Sequence, residues 1–231
     1  MPTILFASPK GGVGKSTAAV LLATELASHG GTVTMIDADP NRPLSQWANR
    51  PGKPERLTVV DSATEIIDTI EAAALRTTFV IVDLEGTAFM MAGYAMSRAG
   101  DLVIIAAQES HLDATEAVKA VKLVKSQERA FQPTIPFAIL FSRTSAAIRP
   151  RTLQSIETEF AENSIPMLGA QIHEREAYRA IFAFGGTLAD IAVSADSEEG
   201  IRQGLDDMAH GRTRPPKEVF DDIRCRQGIS R

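Results

Sequence analysis

A glycine-rich loop constrains the fold of this chain more than any other feature of its sequence. Residues 11–16 read GGVGKS, after a strand predicted for Thr3–Ser8 and at the start of a helix predicted for Ser16–His29. Glycines let the backbone wrap around a phosphate with its N–H groups pointing inward, and the helix N-terminus adds the positive end of a dipole. Lys15 can reach the β- and γ-phosphates of a nucleotide, and the Ser16 hydroxyl can hold Mg²⁺. The pattern predicts a phosphate-binding loop, here called the phosphate loop (residues 8–16).

Short apolar runs and longer helical patterns alternate along the rest of the chain. The apolar runs are nearly continuous, which is typical of parallel strands covered on both faces. The alternation predicts an α/β fold, with a doubly wound, mostly parallel sheet flanked by helices, over residues 1–209. Residues 210–231 are predicted to be a linker followed by a short helix or a mobile tail. The further predicted strands are Thr32–Ile36, Leu57–Val60, Phe79–Val82, Leu102–Ala106 and Phe137–Phe141. The further predicted helices are Ala63–Leu75, Ala88–Arg98, Leu112–Arg129, Arg151–Asn163 and Glu174–Phe184.

The composition excludes several classes of protein. A net charge of −5 over 231 residues is not that of a protein that coats DNA with its whole surface. Cys225 is the sole cysteine, so the chain has no internal disulfide and no cysteine-ligated metal cluster of its own. The apolar runs are far shorter than the roughly 20 residues of a spanning helix. With no secretory leader in view, we expect a cytoplasmic protein.

Three aspartates follow or end predicted strands. Asp37 and Asp39 come at the end of the second strand, and Asp83 follows the four apolar residues 79–82. Ligands of open α/β sheets bind beyond the carboxyl ends of the strands, so we expect these carboxylates near the phosphate loop. An apolar run ending in aspartate is also the pattern that holds Mg²⁺ through its water shell in phosphate-loop enzymes.

Residues 10–17, KGGVGKST, resemble the deviant Walker A motif K-G-G-x-G-K-[ST] of the ParA/MinD superfamily of ATPases. The resemblance covers most of residues 2–190 and implies the P-loop NTPase fold, with ATP and Mg²⁺ as cofactors. In that family the first lysine, here Lys10, reaches the partner's phosphates across a dimer that sandwiches ATP. A cation supplied in this way neutralises charge on the transferring phosphoryl group. The nucleotide-binding residues that the resemblance implies are Gly11, Gly12, Val13, Gly14, Lys15, Ser16 and Thr17.

The resemblance also implies roles for the polar residues after the strands. The segment DADP at residues 37–40 is similar to the family's switch motif, in which Asp39 orients the attacking water and Asp37 lies near the Mg²⁺ shell together with Asp83 and Ser16. Glu85 departs from the family pattern, and its carboxylate either repels ATP or holds a magnesium-bound water. Ser142 and Arg143 take the place where the family has Asn-Arg beside adenine. The absence of an N-K-x-D motif favours ATP over GTP.

Features that the sequence lacks argue against several branches of the superfamily. The cluster-carrying branches need cysteines, the tyrosine-kinase branch needs a tyrosine cluster, and the MinD branch needs an amphipathic C-terminal helix, so membrane binding is not expected. What remains is the small ParA type, which implies a slow, partner-stimulated ATPase that dimerises on ATP, binds DNA without sequence preference and moves plasmids or chromosomes. Such a protein is cytoplasmic and associates with the nucleoid when bound to ATP. A ParB-like adaptor is then the expected activator.

Three other functions stay open from the sequence. Two segments, residues 37–47 and 173–178, are similar to VirC-type proteins of transfer plasmids, which favours a conjugative DNA-transfer factor. Positioning of a protein cluster and metabolic phosphoryl transfer are the other two. Clusters of arginine suit contacts with DNA phosphates. The candidates for DNA contact are Arg149, Arg151, Arg175, Arg179 and Arg202, with Arg175 and Arg179 expected on one helix face.

Overall fold

A single parallel sheet organises the part of the chain that the structure describes. The structure is a computed structural model, and it describes residues 2–62, 65–84, 101–131, 134–145 and 150–191. In these residues the strands are β1 (Thr3–Ala7), β2 (Val33–Ala38), β3 (Leu57–Asp61), β4 (Phe79–Leu84), β5 (Leu102–Ala107), β6 (Phe137–Thr144) and β7 (Ile172–His173). The seven strands lie in the order β3-β2-β4-β1-β5-β6-β7, and every pairing is parallel. The predicted doubly wound sheet is therefore confirmed.

The helices of the described residues are α1 (Lys15–Ser28), α2 (Pro43–Ala48), α3 (Ile66–Ala74), α4 (His111–Phe131), α5 (Arg151–Glu162) and α6 (Glu176–Phe184). Successive strand residues point to opposite faces of the sheet, and helices cover the apolar side chains on both faces. One core joins α3, α4 and α5 to one set of strand side chains, such as Leu5, Val82 and Ile105. The alternate strand residues are also buried but lie outside that cluster, and α1 packs against β1, β2 and β4.

The predicted elements that lie in the described residues are found with shifted ends, and two short elements have no counterpart among the strands and helices predicted from the sequence. β2 extends two residues beyond Ile36 and so includes Asp37, and β6 extends to Thr144. The two short elements without a counterpart are α2, whose first residue is Pro43, and β7. The predicted helix over residues 88–98 lies outside the described residues.

Residues 1–188 form one compact unit, and residues 189–231 form a second, of which the structure describes only residues 189–191. The predicted boundary at residue 209 lies outside the described residues. Trp47 of α2 is fully buried, and its indole N–H donates to the Gly186 carbonyl at 3.1 Å, which connects α2 to the end of the first unit. Among the helices that the structure describes, none has the length and apolar character needed to cross a bilayer.

Candidate nucleotide-binding site

The phosphate loop lies at the centre of the sheet because β1, which precedes it, is flanked by β4 and β5. A cavity of about 750 Å³ opens at the carboxyl ends of the strands. The phosphate loop and the start of α1 form one wall, and the segment from Ile172 to Phe182 forms another. Asp39, Ser142 and Arg143 also line this cavity. The cavity is large enough for a nucleotide, whose class of ligand occupies clefts of about 300–1,000 Å³.

The backbone of the loop has the conformation that glycine makes possible. Gly12 has φ +75° and Gly14 has φ +88°, both in the left-handed region that other residues rarely adopt. Gly14 precedes α1, and its carbonyl accepts the Ala18 N–H at 2.9 Å. Lys15 is 5% exposed and lies close enough to Asp83 for its charge to lower the pKa of that carboxyl. The predicted phosphate-binding residues are thus brought together at one helix N-terminus.

Asp37 and Asp83 lie side by side across neighbouring strands. The register of β2 with β4 pairs them directly, and both are 0% exposed. Burial raises the pKa of Asp83 to about 7, with smaller rises from Asp37 and Asp39, while Ser16 and Lys15 lower it. Burial also raises the pKa of Asp37, against the lowering effect of the Ser45 N–H, which donates to Asp37 Oδ2 at 2.8 Å.

Three carboxylate oxygens at this edge lack a partner among the described residues: Asp37 Oδ1 and both oxygens of Asp83. Ser16 is close enough to influence the Asp83 pKa, yet its hydroxyl makes no hydrogen bond of normal geometry to that carboxylate. Mg²⁺ keeps several waters and is usually held by one or two carboxylates together with substrate phosphates. In the described part of the chain no group of three or more His, Cys, Asp or Glu side chains is arranged to bind a metal. The residues present therefore fit a Mg²⁺ ion shared with a nucleotide, with Ser16, Asp37 and Asp83 on the protein side.

Asp39 lies beyond the strand end, half-buried at the cavity wall. Its Oδ1 accepts the Asn41 backbone N–H at 2.8 Å and the Asn41 side-chain amide at 3.1 Å. The Arg42 N–H donates to the Asp39 carbonyl at 2.8 Å, and Arg42 has φ +50°. A tight turn thus holds the Asp39 carboxylate at the rim of the cavity.

Lys10 does not point into its own cavity. Its Nζ donates to Asp113 Oδ1 in the first turn of α4 at 2.8 Å. The Asp113 side chain is 3% exposed, and the Ser110 hydroxyl also donates to it. The family resemblance implies that Lys10 acts on a partner's nucleotide. In the structure Lys10 instead pairs with Asp113 of its own chain.

Arg143 and Arg179 converge on one carboxylate at the far wall of the cavity. Arg143 Nη2 donates to Glu174 Oε1 at 2.8 Å, and Arg179 Nη2 donates to the same oxygen at 2.5 Å. Hydrogen bonds from Arg143 and Arg179 lower the pKa of Glu174. Arg143 has φ +55° within β6, a conformation that β-strand residues rarely adopt.

The structure describes three of the five candidate DNA-contact arginines, Arg151, Arg175 and Arg179. Arg175 and Arg179 were expected on one helix face, and this is wrong, because Arg175 has extended backbone and precedes α6. Both nevertheless line the nucleotide cavity and are exposed. Arg151 begins α5 and is exposed. Arg149, Arg202 and Glu85 lie outside the described residues.

Comparison with known families agrees with this geometry. The family model described as VirC1 protein matches residues 1–202. The chain belongs to the VirC1 family. Protein ParA of Rhizobium radiobacter is 43% identical over 190 residues, which cover 81% of this chain and 85% of that protein. Protein virC1 of the same species is 29% identical over 190 residues, covering 78% and 80%.

A solved structure shares the fold of this VirC1-family chain. The septum site-determining protein MinD from Pyrococcus horikoshii, complexed with Mg-ADP, matches with a TM-score of 0.60 at 18% identity, covering 82% of this chain and 88% of that one. Together with the ParA relative, this confirms the predicted ParA/MinD superfamily of P-loop ATPases and the predicted similarity to VirC.

Sequence reasoning missed three residues at the site. Asp113, Gln108 and Glu174 each contact the loop or its neighbours from elements about 30 to 100 positions away, and none was among the predicted site residues, although Glu174 lies in the segment 173–178 that is similar to VirC-type proteins. The pattern S-x-x-D at residues 110–113 is the usual sign of a helix N-terminus, and it could have pointed to Asp113 as a structured carboxylate.

Proposed function

We propose that this chain is an ATPase that dimerises on ATP, binds DNA without sequence preference and hydrolyses ATP to drive plasmid or chromosome partition. The observation that carries the proposal is the presence, at one sheet edge, of a buried Lys15 in a glycine loop and two buried carboxylates, Asp37 and Asp83, with three oxygens that lack a hydrogen-bond partner among the described residues. Those charges are costly without a ligand, and the phosphates and Mg²⁺ of ATP would neutralise both. The 43% identity to a Protein ParA supports the choice of partition.

The proposed roles follow from the placement of the side chains. Lys15 and the loop N–H groups bind the β- and γ-phosphates. Ser16, Asp37 and Asp83 would hold Mg²⁺, which would offset negative charge on the transferring group. The Asp39 carboxylate, at the rim, accepts a hydrogen bond from a water and holds it in line with the γ-phosphate. Lys10 leaves Asp113 and reaches the partner's nucleotide.

Binding and sedimentation measurements test this proposal. Lys15→Ala should lose Mg-ATP binding, because the main positive charge on the phosphates is gone. Lys10→Ala should bind Mg-ATP but stay monomeric in sedimentation with ATP. Lys119→Ala is the matched control, since Lys119 pairs with Glu116 on the same helix as Asp113 and is distant in sequence from the loop. A Lys10→Ala protein that dimerises and turns over ATP normally would contradict the proposed mechanism.

A second candidate is a VirC-like factor that assembles on DNA near a transfer origin. The match of the VirC1 family model to residues 1–202 favours it. Both candidates use the same ATP site, so DNA sequence preference separates them. Competition between a specific plasmid fragment and random duplex would give equal affinities for a partition ATPase and a strong preference for a transfer factor.

A further inference from the structure

The carbonyl groups of the phosphate loop need partners as much as its N–H groups do. A peptide unit is planar and trans, so the carbonyl of one residue and the N–H of the next point in opposite directions. A loop whose N–H groups face a phosphate must therefore turn its carbonyls outward. Buried carbonyls without a partner cost free energy, so the surrounding side chains decide whether this arrangement is stable before the phosphate arrives.

Ser142 supplies the partner for the carbonyl of Val13. Its hydroxyl donates to the Val13 carbonyl oxygen, and the Ala107 carbonyl is the next acceptor at 3.3 Å. Ser142 is 0% exposed and Val13 is 1% exposed. The hydroxyl carries one proton, and the phosphate loop receives it at the shorter contact.

The preceding carbonyl, that of Gly12, is held from the same side. Gln108, directly after β5, donates from Nε2 at 3.3 Å, and Arg143 of β6 donates from Nη1 at 3.1 Å. Residues at the ends of β5 and β6 therefore hold two successive carbonyls of the loop. The N–H groups of Val13 and Gly14 belong to the same two peptide units and point the opposite way, away from β6.

We infer that Ser142 is a positioning residue for phosphate binding, which orients the Val13–Gly14 peptide so that the Gly14 N–H faces the phosphates. This inference rests on the proposed nucleotide binding. Ser142 lines the cavity, but its hydroxyl proton is donated to the Val13 carbonyl and its side chain is 0% exposed, so it donates no hydrogen bond to an adenine base. Ser142 acts on the phosphates of any nucleotide, through the loop, and not on the identity of the base.

The packing around Ser142 explains why this position holds a small residue. A Cβ placed on Gly14 would lie 3.6 Å from both the Cβ and the Oγ of Ser142, so the loop backbone rests directly on the serine. An asparagine at position 142 would add two heavy atoms to a side chain with no exposed surface. The loop would have to move to admit it, and the phosphate site would move with it.

Calorimetric titration of Mg-ADP and Mg-IDP tests the inference, since the two nucleotides share their phosphates and differ only at the base. Ser142→Ala should weaken the binding of both nucleotides by about tenfold, because the free loop can then turn the Val13 carbonyl away and binding must restore its orientation at the cost of about one hydrogen bond. The ratio of the two affinities should stay at the wild-type value. Ser142→Cys, which keeps a side chain of similar size but donates weakly, should fall between the wild type and Ser142→Ala.

Two further variants keep the test decisive. Thr24→Ala removes another buried hydroxyl, which donates to the Val20 carbonyl within α1 at 2.8 Å. This control should lower the melting temperature about as much as Ser142→Ala does, but it should leave the nucleotide affinity unchanged. Ser142→Asn should weaken both nucleotides as well. The inference is overturned if Ser142→Ala or Ser142→Cys binds as wild type does, if the ADP-to-IDP ratio changes, or if Ser142→Asn binds ADP more tightly. A wild-type chain that binds neither nucleotide would instead overturn the proposed function.

Discussion

The ion pair between Lys10 and Asp113 has to break before Lys10 can reach a partner's nucleotide. In the structure the two side chains meet at 2.8 Å within one chain, and Asp113 is almost fully buried. The proposed symmetric dimer would use Lys10 of both copies, so two such pairs would break for each dimer formed. Asp113→Asn removes the negative charge and keeps the side-chain shape, so we predict that it strengthens ATP-dependent dimerisation.

The expected change in the dimer Kd follows from the burial of Asp113 and the partial exposure of Lys10. A hydrogen bond to a charged group contributes about 1.5–3 kcal/mol. Lys10 is 42% exposed, and solvent screening reduces the value to roughly 1–1.5 kcal/mol for each pair. Two pairs give about 2–3 kcal/mol, which corresponds to a dimer Kd lower by about 30- to 150-fold.

Sedimentation equilibrium with Mg-ATP measures this change directly, in an Asp39→Ala background so that the nucleotide is not consumed. Glu116→Gln is the control, because Glu116 also pairs with a lysine, Lys119 of the same helix, at 2.6 Å, but both side chains are more exposed than Asp113 and Lys10 are. The control should leave the dimer Kd within about twofold of its parent. A dimer Kd that stays the same or rises in Asp113→Asn would refute the reasoning, since Asp113 would then not restrain Lys10.

Three other changes have expected outcomes. Asp39→Ala should bind Mg-ATP normally but hydrolyse it about a hundredfold more slowly or worse in a phosphate-release assay, and normal turnover would assign the water to another residue. The raised pKa of Asp83, about 7 against 3.8, means that its contribution to stability is complete below pH 4 and is lost as the pH rises through 7. Without Mg²⁺ at pH 8, Asp83→Asn should therefore unfold at a higher denaturant concentration, with a gain of at most about 4 kcal/mol, and no gain would contradict the burial argument. Gly185→Ala should cost about 2–4 kcal/mol in thermal unfolding because its Cβ would lie 2.4 Å from the Pro51 carbonyl at φ +88°, whereas Gly169→Ala, with open space around it, should change little.

Local signals in the sequence account for the elements that were predicted well. Continuous apolar runs such as residues 102–107 predict buried parallel strands because both faces of the sheet are covered. The glycines of the loop predict its backbone conformation, and Gly12 and Gly14 do have positive φ. The meeting of Asp37 with Asp83 also follows, since both end strands of the same sheet.

Contacts between distant parts of the chain had no such signal. The pairing of Lys10 with Asp113 joins residues 103 positions apart, and that of Ser142 with Val13 joins residues 129 positions apart. Their partners follow from the order of strands in the sheet, which places the ends of β5 and β6 beside the phosphate loop. Motif spacing predicts the residues that bind a ligand, and only the assembled sheet shows which residues contact them from other elements.

A salt titration of duplex DNA binding, carried out with ATP and with ADP, tests the proposed function most directly. The chain carries a net charge of −5, so one copy should attract DNA poorly, whereas an ATP-bound dimer aligns two copies of any basic surface and doubles the phosphate contacts. We predict binding with ATP that falls steeply with salt and is alike for different sequences, and little binding with ADP. Equal binding with ATP and ADP would contradict the account.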